Sequence, residues 1–395
     1  MTHLPIEVAA WLIALAWLLK LIEAARGLAT VPNLLAPEYD VAPVGSPSVA
    51  VIVPARDEAD KVADCVESLL GQDYSNLRIL AVDDRSVDQT GAILDALASA
   101  HSARCEVMHI TALPAGWLGK THAMALGARH AIAMLKPDYL LFTDADIIFR
   151  PDAIRRSMAQ AVAGRADHFV LLPTTVAKSL GEGMLLAYLQ VISLWAVRPW
   201  RVADPKARRD SIGVGAFNLI CTAAYQQLGG FDATPMEILE DLTLGRRVKR
   251  AGMRQRVASA PGMVCVHWAA GMFGIVNGMG KNLFAVFRFR PVLLLAAAAW
   301  MALFCIVPLA FLGVPDVRLP GITTLVSIAG LYILSSRSSR LSSSYAALFP
   351  VAAAVVIYAM LRSMIITLRK GGVVWRGTFY PLVELRQHAD RAKNI

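Results

Sequence analysis

Residues 141–149 read LFTDADIIF, an apolar run broken by two carboxylates one residue apart, Asp144 and Asp146. Like charges at that spacing repel, and burial in an apolar strand penalises each of them further. Two readings account for the pair. A strand end at which aspartate begins a turn needs nothing more. A hard divalent cation, which takes oxygen ligands, would remove the repulsion. An Asp-x-Asp triplet is too common to decide by itself, so the choice rests on what the rest of the chain places nearby.

On both sides of this stretch, from 48 to about 261, short apolar runs alternate with helix-like segments. The strand candidates are VAVIVPA (49–55), LRILAVDD (77–84), CEVMHI (105–110), YLLFTDAD (139–146) and HFVLLP (168–173). Helical patterns occupy 59–71, 89–100, 121–135 and 152–163. Strands separated by helices predict an α/β domain whose mostly parallel sheet is covered on both faces. Ligands of such sheets gather at the carboxyl ends of the strands. Asp83, Asp84, Asp144 and Asp146 all fall at such ends.

Composition adds a membrane. Hydrophobic residues make up 56% of the 395 and charged residues 17%, and the mean hydropathy is +0.50. That mixture predicts a water-facing domain joined to membrane segments. The net charge of +9 forms no nucleic-acid-like tract, so no nucleic-acid partner is expected. Much of it lies beside apolar runs (Arg198, Arg201, Lys206, Arg208, Arg209; Arg362, Arg369, Lys370), where basic residues favour an anionic leaflet. Five widely spaced cysteines without a C-x-x-C pair argue against zinc and against a disulfide framework. The run VAAWLIALAWLLKLI (8–22) reads as an uncleaved anchor, and the Pro-rich stretch 31–47 as a linker. Past Arg290 follow apolar runs at 292–313, 321–335 and 345–367. The first and third are long enough to span the roughly 20 residues that a bilayer requires, and the second is short. Two crossings plus a re-entrant segment would keep the basic C-terminal tail on the inner side, as positive-inside bias prefers.

The polar residues at the strand ends form an ordered set. VIVPARDE (51–58) closes the first strand in a polar turn. AVDDRSVDQT (81–90) closes the second with Asp83 and Asp84, followed by Ser86, Asp88 and Thr90 at a helix start. LGKTHAMALG (118–127) places Lys120 near a helix amino terminus, where a cation and free amides suit a diphosphate. FTDAD follows, and EILEDLTLGRRVKRAG (237–252) puts Glu240 and Asp241 ahead of a helical stretch.

With these motifs, residues 48–290 together with WRGTFY (375–380) resemble the inverting nucleotide-sugar glycosyltransferases of the second family, which have the GT-A fold. Within them the chain is most similar to the membrane-anchored branch of ceramide glucosyltransferase-like and hopanoid-associated enzymes. The resemblance implies a membrane anchor at 1–30, a cytosolic GT-A catalytic domain at 48–265, an interfacial segment at 266–290, membrane helices at 291–368 and a basic cytosolic tail at 369–395 in a multi-pass protein of the cell membrane. It implies that Ala55, Asp57 and Glu58 edge the nucleotide pocket, that Asp83 or Asp84 bonds the uracil or its ribose, and that Lys120 contacts the diphosphate. Asp146 would ligate Mg²⁺ or Mn²⁺, with Asp144 serving the ribose or the metal's water shell. Asp241 would be the general base, supported by Glu240. The partners so implied are a UDP-sugar donor, a membrane lipid acceptor and the bilayer itself. Many relatives carry a Q-x-x-R-W-like motif after the base. The comparable stretch here, 271–289, has none, which weighs against the alternative of a processive polysaccharide synthase. A non-catalytic membrane scaffold is the third reading, against which the intact acidic set stands.

Overall fold

The structure, a computed structural model, describes residues 4–391; the ends of the expected anchor (1–3) and tail (392–395) lie outside the described residues. The chain divides into two compact units. One, mainly helical, comprises Met1–Val31, Thr175–Trp200 and Trp268–Val374; the other, α/β, comprises Pro32–Thr174, Arg201–His267 and Trp375–Ile395. In chain order the helices that matter below are α1 (Leu4–Leu28), α2 (Val62–Leu70), α3 (Thr90–Ala100), α4 (Gly119–His130), α5 (Ala153–Ala163), α6 (Leu180–Ala196), α7 (Thr222–Gln227) and α8 (Glu240–Arg250).

The α/β unit is organised by β1 (Val49–Ala55), β2 (Leu77–Asp84), β3 (Cys105–Ile110), β4 (Tyr139–Phe142), β5 (Ile147–Phe149), β6 (His168–Leu172), the two-residue β7 (Thr174–Thr175), β8 (Asn218–Cys221), β9 (Gln255–Ser259) and β10 (Val264–Val266). Seven of them form one sheet in the order β3-β2-β1-β4-β8-β6-β9. The pairs β2–β3, β1–β2, β1–β4 and β6–β9 are parallel, and β8 is antiparallel to both neighbours. The first three strands coincide with the apolar runs read from the sequence because a parallel strand covered on both faces is apolar throughout; six of the seven residues of β1 are buried. One face packs Val51, Val53, Val66, Leu69 and Phe169 into a core, the other Ile52, Val82, Phe142, Ile220 and Val248. Gly127 sets the spacing of α4 on that second face: a Cβ there would lie 2.8 Å from Ile52 Cγ2 and 3.0 Å from Val82 Cγ2.

Three expectations are corrected. The strand 139–146 stops at Phe142. Thr143 Oγ1 instead donates to the Ala216 carbonyl at 2.8 Å and the Asp144 N–H to the Gly215 carbonyl at 3.1 Å, so the chain leaves the sheet with its polar groups satisfied. It resumes as β5, in a separate three-stranded sheet with β10 and β7. The stretch 31–47 is no free linker. Leu34 is 0% exposed, its N–H donates to the Ser259 carbonyl at 2.8 Å, and its carbonyl accepts from Arg156 Nη1 at 2.8 Å. And 175–200, expected inside the catalytic domain, belongs to the helical unit. The apolar side chains of α6 pack there: Trp195 lies edge-on to Trp17 at 5.1 Å and Tyr188 lies 5.1 Å from Phe349.

Among the described residues, five helical stretches are long and apolar enough to cross a membrane: Leu4–Leu28, Leu180–Arg201, Pro291–Gly313, Pro315–Ser336 and Ser343–Lys370. At 1.5 Å per residue even 22 residues reach about 33 Å, beyond the roughly 30 Å hydrocarbon layer. The middle C-terminal run, which reads as short, is lengthened at its start by Pro315 to Pro320. The segment expected at the interface forms two short helices, Gly271–Met279 and Asn282–Val286.

Candidate active site

The loop that carries Asp144 and Asp146 leaves the carboxyl end of β4, and Lys120 meets it from the first turn of α4. Lys120 Nζ lies 2.5 Å from Asp144 Oδ1 and 2.6 Å from Glu240 Oε1. Two further bonds bring α4 to α8: the Leu118 N–H and Thr121 Oγ1 both donate to the Pro235 carbonyl, at 2.9 and 2.6 Å. Glu240 opens α8 and is buried, with Asp241 next to it. Acidic residues in a first helical turn oppose the positive end of the helix dipole, as Arg247, Lys249 and Arg250 do the negative end. The backbone before β8 is held against both acids by glycine. A Cβ on Gly213 would overlap the Asp241 carbonyl, and one on Gly215 would lie 2.6 Å from Asp144 Oδ2. Lys120, Asp144, Gly215, Asn218, Glu240 and Asp241 line an open pocket of about 220 Å³ with Met124, Phe142, Thr143 and Phe231.

Charge in this pocket is uneven. Burial opposes the Lys120 charge, but the surrounding Asp144, Glu240 and Asp241 carboxylates overrule it and hold the ammonium well above its ordinary range. Asp241 moves the other way: desolvation and the neighbouring Glu240 push its carboxyl up to about 7, with Lys120 pulling in the opposite sense. A carboxylate tuned to neutrality can take up a proton at working pH.

Asp146 lies on the other flank of the loop. Lys61 Nζ is 3.2 Å from its Oδ2, and burial together with the Asp144 charge raises its pKa. Glu58 adjoins it, also raised by burial, against the pull of Arg376. Among the described residues no three His, Cys, Asp or Glu side chains form a ligand cluster. Two carboxylates whose mutual repulsion is only partly offset by lysines fit a hard cation that fills its other positions with water and substrate oxygens.

The ends of β1 and β2 form a third wall. The Asp57 and Glu58 N–H groups donate to Ser86 Oγ at 3.0 Å and Thr90 Oγ1 at 2.8 Å, and Asp57 Oδ1 accepts from the Val87 N–H at 2.9 Å. Ala55 faces Asp83 across the β1–β2 register. Asp57 and Arg85 sit at φ of +52° and +59°, left-handed conformations that non-glycine residues adopt chiefly where function or tight turning demands them. Asp83 accepts from the Ser86 N–H and contacts His109 Nδ1 at 3.0 Å; His109 Nε2 is 2.9 Å from Asp95. Asp84 is gripped by the Arg85 guanidinium at 2.7 and 3.0 Å, beside Gly119 at the start of α4.

The C-terminal segment completes this wall. Arg376 pairs with Glu58 and donates to the Asp57 carbonyl at 3.3 Å, Thr378 meets Arg56 at 3.4 Å, and the Tyr380 hydroxyl accepts from the Gly119 N–H at 3.2 Å.

Every site residue read from the sequence therefore lies in one continuous run of contacts. Lys120, which the resemblance places on a diphosphate, bridges Asp144 and Glu240. Asp83 and Asp84 are already engaged by His109 and Arg85. The sequence reading missed Lys61 and the polar residues Asn218, His168 and Gln255 on β8, β6 and β9. In the sequence, Arg246, Arg247, Lys249 and Arg250 read as a solvated or lipid-facing helix side. Arg247 and Lys249 are 3% and 4% exposed and cap buried carbonyls, Arg247 those of Gly230 and Leu228, Lys249 those of Val202 and Asp204.

The class these features define is that of a GT-A fold: residues 50–202 match the model of glycosyl transferase family 2. A solved mannosyltransferase from Pyrobaculum calidifontis, in complex with GDP-Man and Mn2+, superposes with a TM-score of 0.53 at 18% identity, covering 91% of this chain and 98% of that one. At that identity the likeness establishes the fold. Among curated relatives, a 4,4'-diaponeurosporenoate glycosyltransferase of Staphylococcus haemolyticus (strain JCSC1435) is 23% identical over 260 residues, 64% of this chain and 66% of the relative. Its namesake from Staphylococcus aureus (strain bovine RF122 / ET3-1) is 25% identical over 201 residues, 50% of each. The chain thus spans less than two thirds of the length of either relative.

Proposed function

We propose that the protein is an inverting glycosyltransferase that moves one sugar from a UDP-sugar to the hydroxyl of a membrane lipid. The observation that carries this is the meeting of Lys120, Asp144, Glu240 and Asp241 in one pocket at the carboxyl ends of a GT-A sheet. Asp241, held by its surroundings near neutrality, takes the acceptor proton as that oxygen attacks the anomeric carbon. The bond from that carbon to the diphosphate breaks on the opposite face, and its electron pair leaves with the nucleoside diphosphate. One displacement inverts the configuration. General-base assistance of this kind is typically worth about 10²–10⁴-fold. Lys120 pairs with Glu240 and Asp144 beside that base. Asp144 and Asp146 would hold Mg²⁺ or Mn²⁺, which when bound supplies positive charge to the departing diphosphate. Ala55, Asp57, Glu58, Asp83 and Asp84 border the nucleotide.

The lipid acceptor is favoured by five membrane-length apolar helices and by relatives whose names specify 4,4'-diaponeurosporenoate. Connectivity limits the crossings. The segments 32–174, 201–267 and 375 onward all belong to the α/β unit, so an even number of crossings separates each from the next. Leu180–Arg201 alone cannot cross, and two of the three C-terminal helices do so at most. With basic residues at the inner face, the catalytic unit is cytosolic.

The test is a screen of UDP-sugars against extracted membrane lipids, read by mass spectrometry. A single-sugar lipid product is expected. Asp241→Asn should lower transfer by about 10²–10⁴-fold while binding of UDP with Mn2+ persists. Normal turnover in that variant refutes the assignment, and a long polymer on one acceptor would show a processive synthase instead.

A further inference from the structure

A buried polar ladder runs across three strands behind the pocket. His168 on β6 and Gln255 on β9 are register partners, and His168 lies opposite Ile220, two residues along β8 from Asn218. All three polar side chains therefore share one face of the sheet. Asn218, His168 and Gln255 are 2%, 0% and 1% exposed.

The backbone decides where each proton sits. Gln255 Oε1 accepts from the Ile212 N–H at 3.1 Å, and Gln255 Nε2 donates to the Ile212 carbonyl at 2.8 Å. A peptide donor and acceptor cannot exchange roles, so they fix which end of the amide is oxygen. The same Nε2 lies 2.8 Å from His168 Nδ1, which must then accept. A neutral imidazole that accepts at Nδ1 carries its proton at Nε2, and that N–H donates to Asn218 Oδ1. Burial agrees, pushing His168 down to about 4 and keeping it neutral. With its oxygen taken, Asn218 retains an NH₂ that no side chain or backbone group of the described residues accepts, on a residue that lines the pocket beside Asp144 and Asp241.

We propose that Asn218 Nδ2 donates to a hydroxyl of the transferred sugar, with His168 and Gln255 as the positioning residues that aim it. The inference rests on the glycosyltransferase reading and adds to it where the sugar is held. The pocket beside Asn218 is open to solvent. Its charged lining, Lys120, Asp144 and Glu240, suits a hydroxyl-rich group over a lipid chain.

The experiment uses the full-length protein in detergent with Mn2+. It compares free UDP and GDP with UDP-glucose, UDP-N-acetylglucosamine and GDP-mannose, by calorimetry and by steady-state kinetics on whichever donor turns over. Asn218→Ala should leave the Kd of the free nucleoside diphosphate within about twofold and lower kcat/KM for the donor by roughly 10–100-fold, the span of a lost buried hydrogen bond. Asn218→Asp keeps the oxygen that His168 holds and exchanges the amide hydrogens for an ionisable carboxyl. It should retain the Nε2–H tautomer of His168 in ¹⁵N NMR and show a donor defect that deepens as pH rises and the carboxyl loses its proton. Equal losses for free nucleotide and donor, no loss for either, or a rise confined to the acceptor KM would each overturn the inference and leave the proposed function standing. A wild-type protein that binds no nucleotide at all would overturn both.

Discussion

Lys120→Met tests the electrostatics of the site most directly. Its ammonium is within 2.6 Å of two carboxylates and offsets a third, Asp241. Opposite unit charges 4 Å apart attract by about 4 kcal/mol at an effective dielectric of about 20, and stripping one partner from a buried pair costs about 3–5 kcal/mol. The site can escape that cost by protonating a carboxylate. Asp241, already raised to about 7, is the easiest to protonate. Since one pH unit is worth about 1.4 kcal/mol, 3–5 kcal/mol would move its ionisation up by roughly 2–4 units. At pH 7.5 the base would then be ionised in only about 3% of molecules or fewer. The assay is the pH dependence of kcat with a saturating donor: the wild-type rate should climb through about pH 7, and the variant's limb should shift to about pH 9 or above. Stability gives a second readout. A carboxyl whose folded pKa lies above its unfolded one stabilises the fold at low pH and loses that contribution as pH rises through the folded value. The unfolding temperature of Lys120→Met should therefore drop more steeply between pH 5 and 8 than that of the wild type. A variant whose limb stays near 7 would show that Lys120 does not govern the base.

Three more perturbations follow from the same geometry. Asp146→Asn, which removes a charge expected to hold the divalent ion, should weaken Mn2+-dependent UDP binding by tenfold or more in calorimetry while leaving the fold's melting temperature unchanged or higher, since its carboxyl is raised by burial. Gly213→Ala forces a Cβ into the Asp241 carbonyl; overpacking of this kind costs about 1–3 kcal/mol, and displacement of the first turn of α8 should cut turnover in parallel with chemical-denaturation midpoint. Arg247→Met leaves the Gly230 and Leu228 carbonyls without their donor and should lower stability by about 1–3 kcal/mol, with Kd for UDP unchanged.

Legibility in the sequence followed burial. Strands β1 to β3 could be placed to the residue because central parallel strands are apolar on both faces and their ends are marked by polar turns. The acids gathered around Lys120 stood out because carboxylates at the ends of apolar runs have few structural excuses. Phe142 is where this failed first: Thr143 and Ala145 continue the pattern of a strand, and only the loop at Gly215, distant in sequence, shows that the chain has turned away. Asn218, His168 and Gln255 were invisible for a related reason. Asn218 is one polar residue in an apolar run, His168 begins one and Gln255 stands between two arginines, and their relation exists only through cross-strand register. Arg247 and Lys249 misled by type, since arginine and lysine rarely lie buried unless carbonyls or acids receive them. The run 183–200 is too apolar for a free surface helix, but the unit that α6 joins depends on Trp17 and Phe349, far away in the chain.

Glu58 and the first amide of α4 gain their neighbours from Arg376 and Tyr380, which the ribosome makes after all of the membrane-length helices. Synthesis must therefore run past the last of those helices before these contacts can form. A fragment ending near 290 would lack Arg376 and Tyr380 and leave Glu58 and that amide without these partners.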